Sequence, residues 1–294
     1  MNVLLTKCSE NREQWHKIRA TGITASEVPT VLGLNPWQSR YSLWQQKLKA
    51  REGIFEETDN EAMYWGRALE APIARALQER FGMALEAPDA LYRHSELPLL
   101  ATPDCLTLPE HCPVEIKTTS DRNREQWEVG LADYAHAQLA TQMLVLDKPS
   151  GFAAALVGGQ KLFVHQIERD AILDSQIVAA VSEFWGLIES KTPPELDAAD
   201  LKLVKEANPE ITDEVLELSP EHEWLLESIQ EAKARVAEHV KRKELLEAQL
   251  LQWLGSARGA SSTAWEVTRA ARKRESYVVK ASEFIEMRIK RAKS

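Results

Sequence analysis

Six residues, Val114-Glu115-Ile116-Lys117-Thr118-Thr119, constrain this chain more than any other stretch. Their side chains alternate with the period of a β-strand. Val114, Ile116 and Thr118 face one way, and Glu115, Lys117 and Thr119 the other. A carboxylate and an ammonium two residues apart therefore project from one face. Alone, such a pair is usually a solvated surface ion pair of little worth. Upstream, Leu100-Ala101-Thr102-Pro103-Asp104 ends an apolar run and can bring a second carboxylate to the same place. The stretch between them, Leu106 to Pro113, is short and holds two prolines, as a hairpin connection would. Two acids and a lysine so gathered suit a hard divalent cation with a water to activate.

Helices are expected on both sides of this strand. Glu10 to Ala20 carries Trp15 and Ile18 inward and leaves Arg12 and Arg19 at its end. Gly22 permits an unusual backbone, and Thr24 or Ser26 can cap the next helix. A helix start rich in hydroxyls just after an arginine is either an ordinary capped turn or a ready phosphate site. Asn35-Pro36 reads as a cap and first position of a helix carrying Tyr41, Leu43, Trp44 and Leu48. A long helix begins at Asn60-Glu61 and runs to Phe81 before Gly82, and Pro72 should kink it so that Glu70 is aimed at the site. Leu91-Tyr92 and Leu97 to Ala101 are strand candidates. Asp133 to Leu146 is a helix with Tyr134, Gln138 and Gln142 on one stripe. Phe152 to Val157 and Lys161 to Ile167 read as a hairpin, and Asp170 to Ser190 as an amphipathic helix.

Lys191-Thr192-Pro193-Pro194 marks a change of style and predicts a boundary between a domain over 1–193 and an accessory region over 194–294. The accessory region should hold one long helix, Pro220 to Leu254, whose apolar stripe is a packing seam. Strands at Ser261 to Val267 and Glu275 to Lys280 and a last helix over Ala281 to Lys293 should follow.

Charge decides which partners are plausible. The net charge of −9 is unevenly spread. Residues 11–51 hold seven basic side chains against Glu13 and Glu27, and residues 255–294 hold ten against four acids. Such local fields attract a phosphate backbone whatever the total. No apolar run approaches the length of a membrane span. The apolar stretch at the start is too short for a signal peptide. Three cysteines, Cys8, Cys105 and Cys112, suggest reduced thiols and a cytoplasmic protein. They are also too few for an iron–sulfur nuclease, which needs four.

Several separated stretches, taken in order, resemble one family. They are Gly22 to Glu27, Leu32 to Trp37, Trp65 to Glu70, Thr102-Pro103-Asp104, Glu115 to Thr119, Gln138 to Met143, Phe184-Trp185 and Thr192 to Pro194. The sequence resembles the YqaJ-like viral recombinases, relatives of bacteriophage lambda exonuclease in the PD-(D/E)xK nuclease superfamily. The likeness covers roughly the first two-thirds of the chain, and ordered co-occurrence makes it more specific than any one piece. It implies an α/β (α+β) fold: a restriction-endonuclease-like core whose mixed central sheet is flanked by helices, with a C-terminal helical and β-hairpin extension. It implies a magnesium-dependent exonuclease, with manganese able to substitute, running 5′ to 3′ on linear duplex DNA in phage-type recombination or end resection. Asp104, Glu115, the Ile116 carbonyl and Glu70 would hold the metal. Lys117 would orient or help deprotonate the attacking water, and Gln138 would support it. Arg19 and Ser26 would hold a 5′-phosphate, and Thr118 and Thr119 would meet DNA. The likeness further implies a homo-oligomer, a trimer in relatives, and a possible single-strand annealing partner, with no membrane association. Three departures stand out: Cys105 replaces the usual glycine after Pro-Asp, Ala140 replaces the usual second glutamine, with Gln142 beyond it, and Tyr134 lies four before Gln138, one residue off the family's spacing. An endonuclease of the same superfamily, and a non-catalytic DNA-end-binding adaptor, are the rival readings.

Overall fold

A strand that is apolar on one side and carries a buried acid on the other needs cover on both faces, and this chain supplies it with helices. The structure, a computed structural model, describes residues 2–55, 60–207 and 211–271. It divides into two units, Met1–Glu210 and Ile211–Ser294.

In the first unit, β1 (Asn2–Thr6) leads through α1 (Arg12–Arg19), β2 (Ile23–Thr24), the single turn α2 (Val28–Val31) and α3 (Arg40–Arg51) to the long α4 (Glu61–Phe81). Then come β3 (Leu85–Glu86), β4 (Ala90–Arg93), β5 (Leu99–Ala101), β6 (Cys105–Thr107) and β7 (Pro113–Thr119). α5 (Arg124–Val129), α6 (Asp133–Leu146), β8 (Ser150–Val157), β9 (Lys161–Glu168), α7 (Ala171–Glu189) and α8 (Leu201–Ala207) complete it. One sheet has the order β1-β4-β5-β2, the other β3-β6-β7-β8-β9. In the second sheet β7 and β8 run parallel, with Glu115 beside Ala153 and Lys117 beside Ala155, and its other pairs are antiparallel. A parallel pair needs a crossover, and α5 with α6 provides it.

The alternation read from β7 is realised. Val114 and Ile116 pack with Ile73 and Leu77 of α4, while Leu139 and Met143 of α6 join Ala153 and Ala155 of β8 in a separate core. α6 is apolar nearly all round, and ten of its residues are buried. That is the pattern of a helix enclosed on every side. It also shares its core with Leu99 and Ala101 of β5, so it is wedged between the two sheets.

The long helix α4 has its expected limits: the Asn60 side chain accepts from Met63 N, Gly82 is left-handed, and the helix continues through Pro72. α7 has the length and average hydropathy of a membrane span, contrary to the expectation from sequence. Its Ile177, Val181, Phe184 and Ile188 are nonetheless fully buried at helical spacing in the protein core. Residues beyond Pro193-Pro194 remain in the first unit, where buried Asp200 accepts from the Ser39 hydroxyl.

Three local expectations are corrected. The α3 helix starts at Arg40 with Ser39 as its cap. Asn35 instead makes a turn, its side-chain oxygen accepting from Trp37 N at 3.0 Å while its amide donates to Thr30 Oγ1 at 2.8 Å. The strand before Asp104 does not pair with β7. β5 belongs to the other sheet, the chain crosses between sheets at Thr102-Pro103-Asp104, and β6 is the partner of β7. Proline, with no N–H to give a ladder, suits such a crossing. Gly22 is not in a left-handed conformation. It is needed because a Cβ there would lie 2.6 Å from the Pro98 carbonyl oxygen, which accepts from Ile23 N at 2.7 Å.

In the second unit α9 (Pro220–Leu254) has the predicted span, with Ser219 as its cap. Its stripe residues Leu225, Val236, Val240, Leu246 and Leu250 are exposed. The hairpin that follows is tighter and earlier than expected: β10 (Gly259–Ser261) pairs with β11 (Glu266–Thr268). The expected strand at Glu275 to Lys280 and helix at Ala281 to Lys293 lie outside the described residues.

The close approach at residue 22 has a measurable cost. Gly22→Ala should destabilise the protein by about 1–3 kcal/mol, because a backbone carbonyl cannot move aside as a side chain can. Urea denaturation followed by tryptophan fluorescence tests it, and an unchanged midpoint would refute it.

Candidate active site

Glu115 is almost fully buried, 3% exposed, so both its oxygens must find donors within the protein. They find three. Oε1 accepts from Lys117 Nζ at 2.6 Å and Gln138 Nε2 at 2.7 Å, and Oε2 accepts from Gln142 Nε2 at 2.5 Å. Lys117 Nζ also donates to Gln138 Oε1 at 2.9 Å, closing a triangle of Glu115, Lys117 and Gln138. The strand pleat aims the acid and the lysine at α6, and the helical repeat aims two glutamines back at them.

Asp104 arrives from the crossing between sheets, where Oδ2 accepts from Ile116 N at 2.7 Å. Burial, then Glu115, then Glu70 drive its carboxyl well above the ordinary range, and Lys117 opposes them. Glu70 on α4 is raised as well, by burial and then Glu115. Lys117 is raised overall: burial works against its charge, but Glu115 and Asp104 more than offset that. The three carboxylates are therefore electrostatic neighbours around a single ammonium. Cys105 beside them is pushed up to about 11, by burial first and then Asp104 and Glu70, and stays an inert thiol. Cys105 opens β6 outside the left-handed region, so no glycine is needed there.

Among the described residues no three His, Cys, Asp or Glu side chains stand close enough to hold a metal ion as they are. The hydrogen bonds explain this, since Glu115 is committed to Lys117 and two glutamines, and Asp104 to a backbone amide. The donor set nevertheless fits a hard cation. Three acids crowd one another with one ammonium between them, and a divalent ion would relieve that excess.

Arg19 and Ser26 also come together. Arg19 Nη2 lies 3.4 Å from Thr24 Oγ1, which is 3.1 Å from Ser26 Oγ, and the guanidinium sits 4.3 Å over the Trp15 ring. Arg19 and Trp15 open on a cleft of about 690 Å³ lined also by Arg12, Lys49 and Arg67. Arg67 acts on Glu70 too, so α4 links this cleft to the acids. A larger cleft, about 850 Å³, lies elsewhere, between Asn35–Arg40 and Pro193–Asp200, and is lined by none of Glu70, Asp104, Glu115 and Lys117. Thr118 and Thr119 are not joined to the cluster: Thr119 Oγ1 accepts from Asn123 Nδ2 at 2.7 Å. Tyr134 is within electrostatic reach of Lys117, and exposed Trp37 packs edge-on against it at 5.3 Å.

The glutamine missed as a site residue is Gln142. The signal was its place four residues after Gln138, on the stripe that begins at Tyr134. Ala140, two residues after Gln138, faces the core instead.

Comparison with known proteins bears on the family and the fold. Residues 14–152 match the YqaJ-like viral recombinase domain. The chain is 32% identical over 188 residues to the uncharacterized protein YqaJ of Bacillus subtilis (strain 168), covering 62% of this chain and 58% of that protein. It thus spans a little over half the length of that relative. Crystal structures of the alkaline exonuclease LHK-Exo from Laribacter hongkongensis share the fold, with TM-scores of 0.51 and, in complex with dAMP, 0.50. In both, identity is 23%, over 67% of this chain and 98% of the other.

Gln142→Leu would leave one oxygen of a buried carboxylate without a donor. It should cost about 1–3 kcal/mol of stability by urea denaturation. No loss would mean that the Gln142–Glu115 contact carries no weight.

Proposed function

Taking residues 14–152 as a YqaJ-like viral recombinase domain, we propose that the protein is a divalent-metal-dependent exodeoxyribonuclease acting 5′ to 3′ on linear duplex DNA. Its role would be phage-type recombination or end resection, on a restriction-endonuclease-like core. The carrying observation is the gathering of Asp104, Glu115, Lys117 and Gln138, from the crossing between the sheets, one strand and one helix, into one electrostatic cluster.

Asp104, Glu115, the Ile116 carbonyl and Glu70 would hold magnesium, or manganese in its place. That ion would polarise the scissile phosphate and activate water. The chain's own groups do the rest. Lys117, whose proton is held by Glu115 and Asp104, acts as a fixed positive donor toward the charge that develops on the phosphate or toward the attacking water. Gln138 grips acid and lysine together and sets their spacing. Gln142 holds the remaining oxygen of Glu115 and so fixes the carboxylate plane. Arg19 in the basic cleft, with Ser26 joined to it through Thr24, takes the terminal 5′-phosphate, which orients the duplex end. The dAMP in one LHK-Exo structure accords with a nucleotide product. Two relatives of the reading, trimer formation and docking of a single-strand annealing protein, fall to the exposed face of α9 and the hairpin after it.

The reading predicts nucleotide release from linear duplex DNA in magnesium, none in EDTA, and no nicking of covalently closed circles. Asp104→Ala, Glu115→Ala and Lys117→Ala should each lower the rate by at least ~10²-fold. A Lys117→Ala variant cutting at the wild-type rate would overturn the assignment, and rapid nicking of closed circles would favour an endonuclease.

A further inference from the structure

Lys47 of α3 is 3% exposed, an unusual place for an ammonium. All three of its protons are used: it donates to the Arg19 carbonyl at 2.9 Å, the Gly22 carbonyl at 2.8 Å and Glu27 Oε2 at 2.7 Å. Glu27 Oε2 also accepts from Thr24 N at 2.8 Å, whereas Oε1 faces Arg19 Nη2 at a looser 3.5 Å. Burial opposes the Glu27 charge, but Lys47 and Arg19 outweigh it, so the carboxyl is held below its usual range and stays ionised. One carboxylate thus stands between two cations and is more tightly held by the buried one. The three groups carry a net single positive charge. Among the described residues, Glu27 is the one acid lining the cleft, beside Arg12, Arg19, Lys47, Lys49 and Arg67.

A buried ion pair is a poor way to gain stability. Its retention here has another use. We propose that Lys47 is a positioning residue that claims the Glu27 carboxylate and thereby leaves the Arg19 guanidinium available to a terminal DNA phosphate. The proposal rests on the reading of Arg19 and Ser26 as the 5′-phosphate site. Without Lys47, Glu27 would turn to its other cation, Arg19, and that pair would carry no net charge. The backbone bonds from Lys47 to Arg19 and Gly22 hold the same loop, so charge and geometry must be separated by experiment.

Degradation rates on linear duplexes with 5′-phosphate and 5′-hydroxyl ends give a preference ratio for the full-length protein and its variants. Wild type should prefer the phosphate, and Arg19→Ala should abolish the preference. Lys47→Met should lose about tenfold of it, one charge-assisted contact, whereas Glu27→Gln should keep it. The double variant K47M/E27Q lacks the same backbone bonds as Lys47→Met but regains the net positive charge, and should recover the preference to within about threefold of wild type. Thermal melts establish that each variant is folded, and if Lys47→Met is not, the double variant decides alone. A double variant without preference, alongside an Arg19→Ala variant that lacks it too, would overturn the role of Lys47 and leave the phosphate site standing. Full preference in Lys47→Met would do the same. A wild type indifferent to the phosphate, or an Arg19→Ala variant that keeps the preference, would remove the phosphate-site reading and this inference with it.

Discussion

The buried carboxylate of Glu115 is the constraint that the rest of the first unit answers to. An acid on a central strand is tolerable only if every oxygen is met, and the donors come from one adjacent strand position and two turns of a single helix. That requirement fixes the rotation of α6 about its axis, since only one orientation presents Gln138 and Gln142 together. It fixes the register of β7 as well, because a slip by one residue would turn the acid into the apolar face that α4 covers. The opposite face of the strand, Val114 and Ile116 against α4, is an ordinary apolar contact that holds the plane steady.

Much of this was readable from residues alone, where the information is local. β7 declared itself by alternation, α4 by its Asn60 and Gly82 ends, α7 by Asp170 and a regular apolar stripe, and α6 by length and composition. What was not readable depended on partners far away in sequence. The strand ending at Ala101 looked like one arm of the central hairpin, yet it pairs in another sheet, and no local pattern tells which sheet a short apolar run joins. Gly22 reads as a conformational glycine until the Pro98 carbonyl is seen against it. Asn35 before proline satisfies the rule for a helix cap as well as for the turn it makes.

The charged residues show the same division. Lys47 counts toward a basic segment in any tally of the chain, but it is not a surface charge at all. Its neighbours on α3, Leu43 and Trp44, mark the inward face, and Lys47 lies one turn on from Leu43. An ammonium on an apolar stripe is the trace such a group leaves in sequence, and it carries meaning only when a carboxylate such as Glu27 is known to wait opposite. The acids of the candidate site behave likewise. Asp104, Glu115 and Glu70 are unremarkable one by one, and their mutual repulsion arises only when two sheets and α4 bring them together.

The wedge position of α6 between the sheets has a bearing on biosynthesis. Asp104, Glu115 and Lys117 leave the ribosome before the glutamines that lock them, and before β8 and β9, which complete the sheet. A nascent chain ending short of residue 142 holds the reactive groups with nothing to align them. A nuclease of the kind proposed would in this way stay inactive through synthesis, becoming competent only when its interior closes.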